Sequence, residues 1–216
     1  FVTLSAYQTI VTDAIEYIYL WNGAKAIDDL DFSDDRGDTY INVGEQRARG
    51  VELEGFAQVI PTISIRGNVS MIETGIRIDP GNIDGKHTGG NHVQLYNLGR
   101  FLNGEIDQDD LFRRPDLTAF ASLQYKPVED FSVSASWRYT GKRLDARYDG
   151  SLGPYGALAH IDVEAYHLVD LGVGWQASEV INIGLKVENV LDEEYREVVG
   201  FQTKGRSLYL KVSARW

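Results

Sequence analysis

Cysteine is absent from the 216 residues, so neither a disulfide framework nor thiol chemistry is available. Proline is scarce, at five, and methionine occurs once. No run of eighteen apolar residues exists, which excludes a transmembrane helix. A membrane is not excluded, because a spanning strand needs only about 9–11 alternating residues, a far weaker signal per segment. Positive charge is in deficit: 21 Lys and Arg stand against 32 Asp and Glu, a net of −11. That balance argues against nucleic acid as a partner, which calls for basic patches. There is no initiating methionine and no signal-peptide pattern, so the chain is read as a processed product or as a piece that begins inside something longer.

What is present points to strands and turns. Glycine (22) and tyrosine (12) are plentiful, and the apolar residues recur with a period of two. Eight strands are predicted, at about 1–18, 39–60, 62–78, 114–125, 131–147, 163–177, 181–190 and 205–216. In the fifth, Phe131, Val133, Ala135, Trp137 and Tyr139 share one face, opposite Ser132, Ser134, Ser136, Arg138 and Thr140. Leu117, Ala119, Ala121, Leu123 and Tyr125 do the same in the fourth, and Val169, Leu171, Val173 and Trp175 in the sixth.

The connections alternate strictly. Long ones (19–38, 79–113, 148–162, 191–204) are followed by short ones at Pro61, 126–130 and 178–180. The long loops hold 18 acidic and 7 basic residues, so the whole net charge of −11 sits at one end of the meander. Short turns at one end and long loops at the other are the asymmetry of an outer-membrane meander. Aromatics fall at two levels: Tyr125, Phe131, Trp175 and Trp216 near the short turns, and Tyr17, Tyr19, Tyr40, Tyr139, Tyr148 and Tyr166 near the long loops. Two girdles bounding an apolar band are expected of a barrel in lipid. A soluble β-sandwich also uses alternating strands, but its outward face should be richly charged. Here the second face is mostly Ser, Gly, Thr and Asn, as suits a wet lumen.

Several segments carry a family resemblance. They are "NVGEQRARGVELEG" at 42–55, "FRRPDLTAFASLQYKP" at 112–127, "NVLDEEY" at 189–195 and the aromatic-ended "GRSLYLKVSARW" at 205–216. In this order and spacing the chain resembles the C-terminal part of a TonB-dependent outer-membrane transporter. The resemblance implies an all-β, antiparallel, up-and-down transmembrane barrel of 22 strands with a plug in its lumen, of which about eight strands are here. It implies capture of a scarce nutrient, such as a ferric siderophore, cobalamin or another metal complex. Import would be energised by the TonB–ExbB–ExbD complex in a Gram-negative outer membrane. The remaining implied partners are the rest of the barrel and plug, lipid and lipopolysaccharide, and the assembly machinery, which would read the terminal Trp216. The plug and the N-terminal TonB-box segment are missing. Eight strands of a larger barrel would leave open edges at 1–18 and 205–216, and bare edges are not viable in lipid. The alternative is a self-contained eight-stranded barrel, acting as channel or anchor, in which those two strands would pair directly.

In "RGVELEG", Val51 and Leu53 are expected to face lipid, and Glu52 and Glu54 the lumen. Arg47 and Arg49 fall on the outward parity, so a bulge near Gly50 is expected to turn them inward. There they would join an ion-pair ladder on the lumen wall or touch the plug. The long loops hold the candidate ligand contacts. "DDLDFSDDRGD" at 28–38 clusters carboxylates, which hard cations favour, but without the order of an EF-hand; a solvated acidic loop is the simpler reading. "KHTGGNH" at 86–92 sets His87 and His92 downstream of Asp79 and Asp84, where a transition-metal site or plain exposure both fit. Asp34, Asp35, Arg36, His87, His92 and Arg100 are the expected substrate contacts, with no resident metal or cofactor. No G-x-S-x-G, H-E-x-x-H or P-loop pattern occurs, and no nucleophile–base spacing, so no enzymatic activity is expected.

Overall fold

A computed structural model describes residues 1–21, 35–83, 85, 86, 88–102, 104–108, 110–153 and 156–215, and for Trp21, Asp35, Val43, Asn82, His92 and Gln94 the backbone alone. Thirteen strands are described: β1 Val2–Trp21, β2 Asp35–Ile60, β3 Ile63–Ile78, β4 His92–Asn97, β5 Arg100–Leu102, β6 Ile106–Gln108, β7 Leu117–Val128, β8 Phe131–Thr140, β9 Arg143–Asp149, β10 Ala157–Val163, β11 Tyr166–Gln176, β12 Ile181–Glu188 and β13 Ser207–Ala214. One sheet runs β13-β12-β11-β8-β7-β3-β2-β1-β4-β5, with β6 on β3, and β9 and β10 make a separate hairpin. With the loop strands set aside, the eight long strands stand in chain order, each antiparallel to the next. No α-helix occurs among the described residues; a single 3-10 turn spans Pro80–Asn82.

The register sorts side chains onto two faces. Leu53, Val69 and Ala119 lie in one row, and Leu123, Ala135 and Leu171 in another. Leu171, Val187 and Leu208 continue that face to the last strand. The opposite face carries Asn68, Ser122, Ser136, Asp170, Gly172 and Lys186. The apolar face is uncovered: Leu210 is 69% exposed and Val212 63%. No second sheet packs on it among the described residues, so the sandwich reading is overturned. A sheet this apolar outside and polar inside is stable only with hydrocarbon on one face and water on the other.

No pairing joins β1 to β13 among the described residues. The self-contained eight-stranded barrel is therefore overturned, and the sheet is an open wall with β13 at one edge. At the other edge β1 pairs with β4 only over Tyr19–Trp21.

Other expectations need correction. The alternation at 131–147 is not one strand. The chain leaves the sheet at Gly141, whose amide donates to the Leu117 carbonyl. A Cβ there would meet Asp116 Oδ1 at 2.6 Å and Leu117 O at 2.8 Å. Beyond it, β9 pairs with β10, a strand that lies in the expected loop 148–162 save for its last residue, Val163. The expected loop 79–113 contains β4, β5 and β6. No bulge occurs near Gly50: β2 pairs with β1 and β3 without a break from Gln46 to Gly55. The irregularities lie farther along. One is in β1 between Val11 and Ala14, where Asp13 has φ 57°. The other is in β2 at Val43, which is skipped between the pairs Ala14–Gly44 and Ile15–Asn42, so that beyond it Ile41 turns inward and Tyr40 outward. Gly50 instead makes room for the Tyr7 ring, which its Cβ would meet at 2.7 Å. Arg47 and Arg49 thus stay on the outer wall, bridging Asp107 at 3.8 Å and Glu73 at 2.8 Å. On the lumen wall Glu54 pairs instead with Arg66, at 2.9 Å.

Beyond the apolar band, β1–β3 continue and gain an apolar cluster on the inner face. Ile18, Ile78, Val93 and Leu95 are buried there, with Leu20, Ile41 and Ile106 against them. Burying Ile18 and Leu95 stabilises by about 1.5–3 kcal/mol each, which holds the β4–β5 hairpin on the edge of β1.

Candidate site at the mouth of the wall

Three segments beyond the apolar band meet at one buried carboxylate. Asp145 in β9 is 1% exposed. Its Oδ1 accepts from Arg113 Nε and from the Ala146 amide, both at 2.8 Å, and its Oδ2 from the Val199 amide at 2.7 Å. One side chain therefore ties the segment before β7, the β9–β10 hairpin and the loop before β13. Burial pushes this carboxyl up, but the Val199 amide, the Arg113 guanidinium and the Ala146 amide together hold it below the usual carboxylate range. The adjacent Arg143, also buried, donates to the carbonyls of Arg196 at 2.5 Å and Glu197 at 3.0 Å. Its guanidinium lies 5.5 Å over the Tyr166 ring.

Tyr166 faces inward, not toward the membrane boundary, and this corrects its place in the outer girdle. It pairs with Thr140 on the luminal parity, packs tilted against Tyr195 with ring centroids 4.5 Å apart and donates to Glu197 Oε1 at 3.3 Å. "NVLDEEY" is the turn that aims Tyr195 there. Asn189 and Asp192 take φ of 50° and 59°, values tolerated by Asn and Asp. Asn189 exchanges two hydrogen bonds with Glu193, and its amide donates to Asp170 Oδ1 at 3.0 Å. Asp192 accepts from the Arg206 amide at 2.8 Å, closing the loop onto β13. The motif is thus a structural clasp between loop and wall.

Below it opens a polar cavity of about 300 Å³, lined by Arg138, Asp170, Glu188, Tyr195, Glu197 and Lys204 among others. Both signs of charge are present, with Arg138 3.4 Å from Asp170. Such a lining offers hydrogen-bonding and ion-pairing groups of both signs.

The expected contact residues fall elsewhere. Asp34, His87 and Trp216 lie outside the described residues. Asp35 and His92 are described by backbone: both pair with Trp21, one on each side, which brings the 19–38 and 79–113 segments to one corner of the sheet. Arg36 is exposed at the start of β2, and Arg100 is exposed in β5, paired with Asn97. No group of three or more His, Cys, Asp or Glu able to hold a metal occurs among the described residues. Asp145, Arg143 and Asp170 were missed. The only signal for Asp145 was a carboxylate continuing an apparent strand, which does not distinguish a hub from a solvated side chain.

A single antiparallel sheet, apolar outside, polar inside and with its long loops at one end, is the wall of an outer-membrane β-barrel. The chain belongs to the TonB dependent receptor-like, beta-barrel family, which it matches over residues 1–190. It is 30% identical over 84 residues to the vitamin B12 transporter BtuB of Vibrio cholerae serotype O1, a stretch that is 39% of this chain and 13% of that protein. Among solved structures it resembles the ferric-catecholate import receptor Fiu from E. coli K12, with a TM-score of 0.62 and 17% identity, covering 99% of this chain and 25% of that one. The ferric enterobactin receptor PfeA of Pseudomonas aeruginosa gives a TM-score of 0.61 at 17% identity, with 99% and 28% covered. The chain spans about a quarter of the length of these receptors. Family membership places it in the Gram-negative outer membrane.

Proposed function

We propose that residues 1–216 form the C-terminal wall of an outer-membrane receptor that imports a scarce nutrient, a ferric siderophore, cobalamin or another metal complex. The observation that carries this is the two-faced open wall, joined to the family match. An open wall needs further strands to close it, and a polar lumen needs an occupant. Ser132, Ser134, Gly172 and Gly174 leave the inner face low, which suits close packing of a plug. The TonB–ExbB–ExbD complex would supply the energy through that plug. Outer ligand contacts would come from the corner where Asp35 and His92 flank Trp21, from Asp34, Arg36, His87 and Arg100, and from the clasp around Asp145. The wall carries no reacting group in this reading, and Trp216 would serve the assembly machinery. The test is uptake of labelled ferric siderophore and of cobalamin by cells whose only such receptor is the full-length protein. Uptake of one of them that disappears when TonB is deleted is expected. Uptake of neither, or uptake that survives without TonB, contradicts the reading.

A further inference from the structure

The outward face of β2 and β3 changes chemistry at one row. Below it lie Leu53, Val51, Val69 and Met71. Above it Arg49 bridges Glu73 at 2.8 Å and Arg77 bridges Glu105 at 2.7 Å, on the same parity. A charged row of this kind marks where hydrocarbon ends, since charge on the lipid face is costly within it. The strands continue well past that row. Tyr40 is nine residues beyond Arg49, about 20–25 Å higher for a strand rising ~3.4 Å per residue and tilted by ~40°. That is too far out for a ring anchoring the hydrocarbon boundary. Tyr17, Tyr19 and Tyr40 therefore do not form the outer girdle.

At that height the outward face is a run of rings. Tyr40 touches Tyr17 at 5.2 Å, Tyr17 touches Tyr19 at 5.4 Å, and Tyr19 touches Tyr96 at 5.5 Å and Phe101 at 5.7 Å. Tyr40 is 68% exposed and Tyr17 43%. The Tyr17 hydroxyl donates to Asp38 beside it. We propose that this face binds the oligosaccharide of the outer-leaflet glycolipid. The patch lies on the same strands and the same face as the lipid-facing surface below it. Its neighbour is therefore the part of those outer-leaflet molecules that projects beyond their phosphates, which is sugar. Flat apolar rings pack on the C–H face of a pyranose, while the Asp38 carboxylate accepts from its hydroxyls. The carboxylate selects neutral sugars over phosphate.

This inference rests on the outer-membrane placement and not on the transported ligand. The test uses the full-length receptor in detergent, stripped of lipopolysaccharide and titrated calorimetrically with core oligosaccharide released from lipopolysaccharide. The native receptor is expected to bind it. The Tyr17→Ala, Tyr40→Ala double variant should bind at least about fivefold more weakly, and Tyr40→Phe as native. Heat-resistant migration and nutrient uptake, measured in parallel, should not change. No binding by the native receptor, or equal binding by the double variant, overturns the proposal. So does a double variant whose only change is loss of a detergent-stable dimer. Failure of uptake alone leaves the proposal standing and counts against the transport reading.

Discussion

Asp145 holds three stretches of chain with one carboxylate, and its removal leaves the Val199 amide and the Arg113 guanidinium without their acceptor. Asp145→Ala should weaken the clasp by about 1–3 kcal/mol, the usual cost of orphaning buried hydrogen-bonding groups. The measurement is hydrogen exchange in the full-length receptor, with protection lost in 143–149 and around Val199 but kept in β7 and β8. His160, in β10, meets Phe112 edge-on at 5.1 Å, and burial lowers its pKa from the ordinary value of 6.5. An opened hairpin therefore takes up the proton first. The hairpin is fully stable above pH 6.5 and loses stability as pH falls through the lowered value. Exchange protection of β10, corrected for intrinsic rates, should fall between pH 7.5 and 5.5, and His160→Gln should flatten that change. Asp145 has the same sign at lower pH, its contribution being lost only below its ordinary 3.8. Neither residue was legible beforehand, because a strand's period of two says which face a side chain takes but not which distant loop folds over it.

The strands themselves were legible where each face has one chemistry. Leu117–Tyr125, Phe131–Tyr139 and Val169–Trp175 alternate apolar residues with Ser, Gly or Thr, and their register keeps that sorting across four neighbours. Leu210→Arg, near the middle of that outer face, should cost about 2–4 kcal/mol. Arg49→Ala, above the apolar band in an exposed pair with Glu73, should cost at most about 1 kcal/mol. Denaturant titration of the refolded full-length receptor separates the two. Gly50→Val should also destabilise, by about 1–3 kcal/mol, because the new side chain meets the Tyr7 ring and the Met71 carbonyl. Tyr7→Ala should relieve only the ring's part of that cost. The misplaced bulge has a plain origin. Outward arginines look wrong for a lipid face, yet Arg47 and Arg49 lie just past its end, where charge is unopposed. The β9–β10 hairpin was hidden because alternation runs on past Gly141 while the backbone turns away.

The alternation of short turns and long loops made the meander readable, since eight strands in chain order follow from it directly. The open edges, expected from the family resemblance and not from composition, are seen in the pairing, which leaves β1 and β13 unjoined among the described residues. The central claim is that these strands are one stretch of a larger closed wall. Disulfide trapping in outer membranes tests it, in the full-length receptor with any other cysteine removed; this chain contributes none. Leu185→Cys with Leu210→Cys, directly paired between β12 and β13, should cross-link in high yield. Leu4→Cys or Ala6→Cys in β1, combined with cysteine at Leu208, Leu210 or Val212 in β13, should not. Efficient cross-linking between β1 and β13 would contradict the account, because it would close these eight strands on themselves.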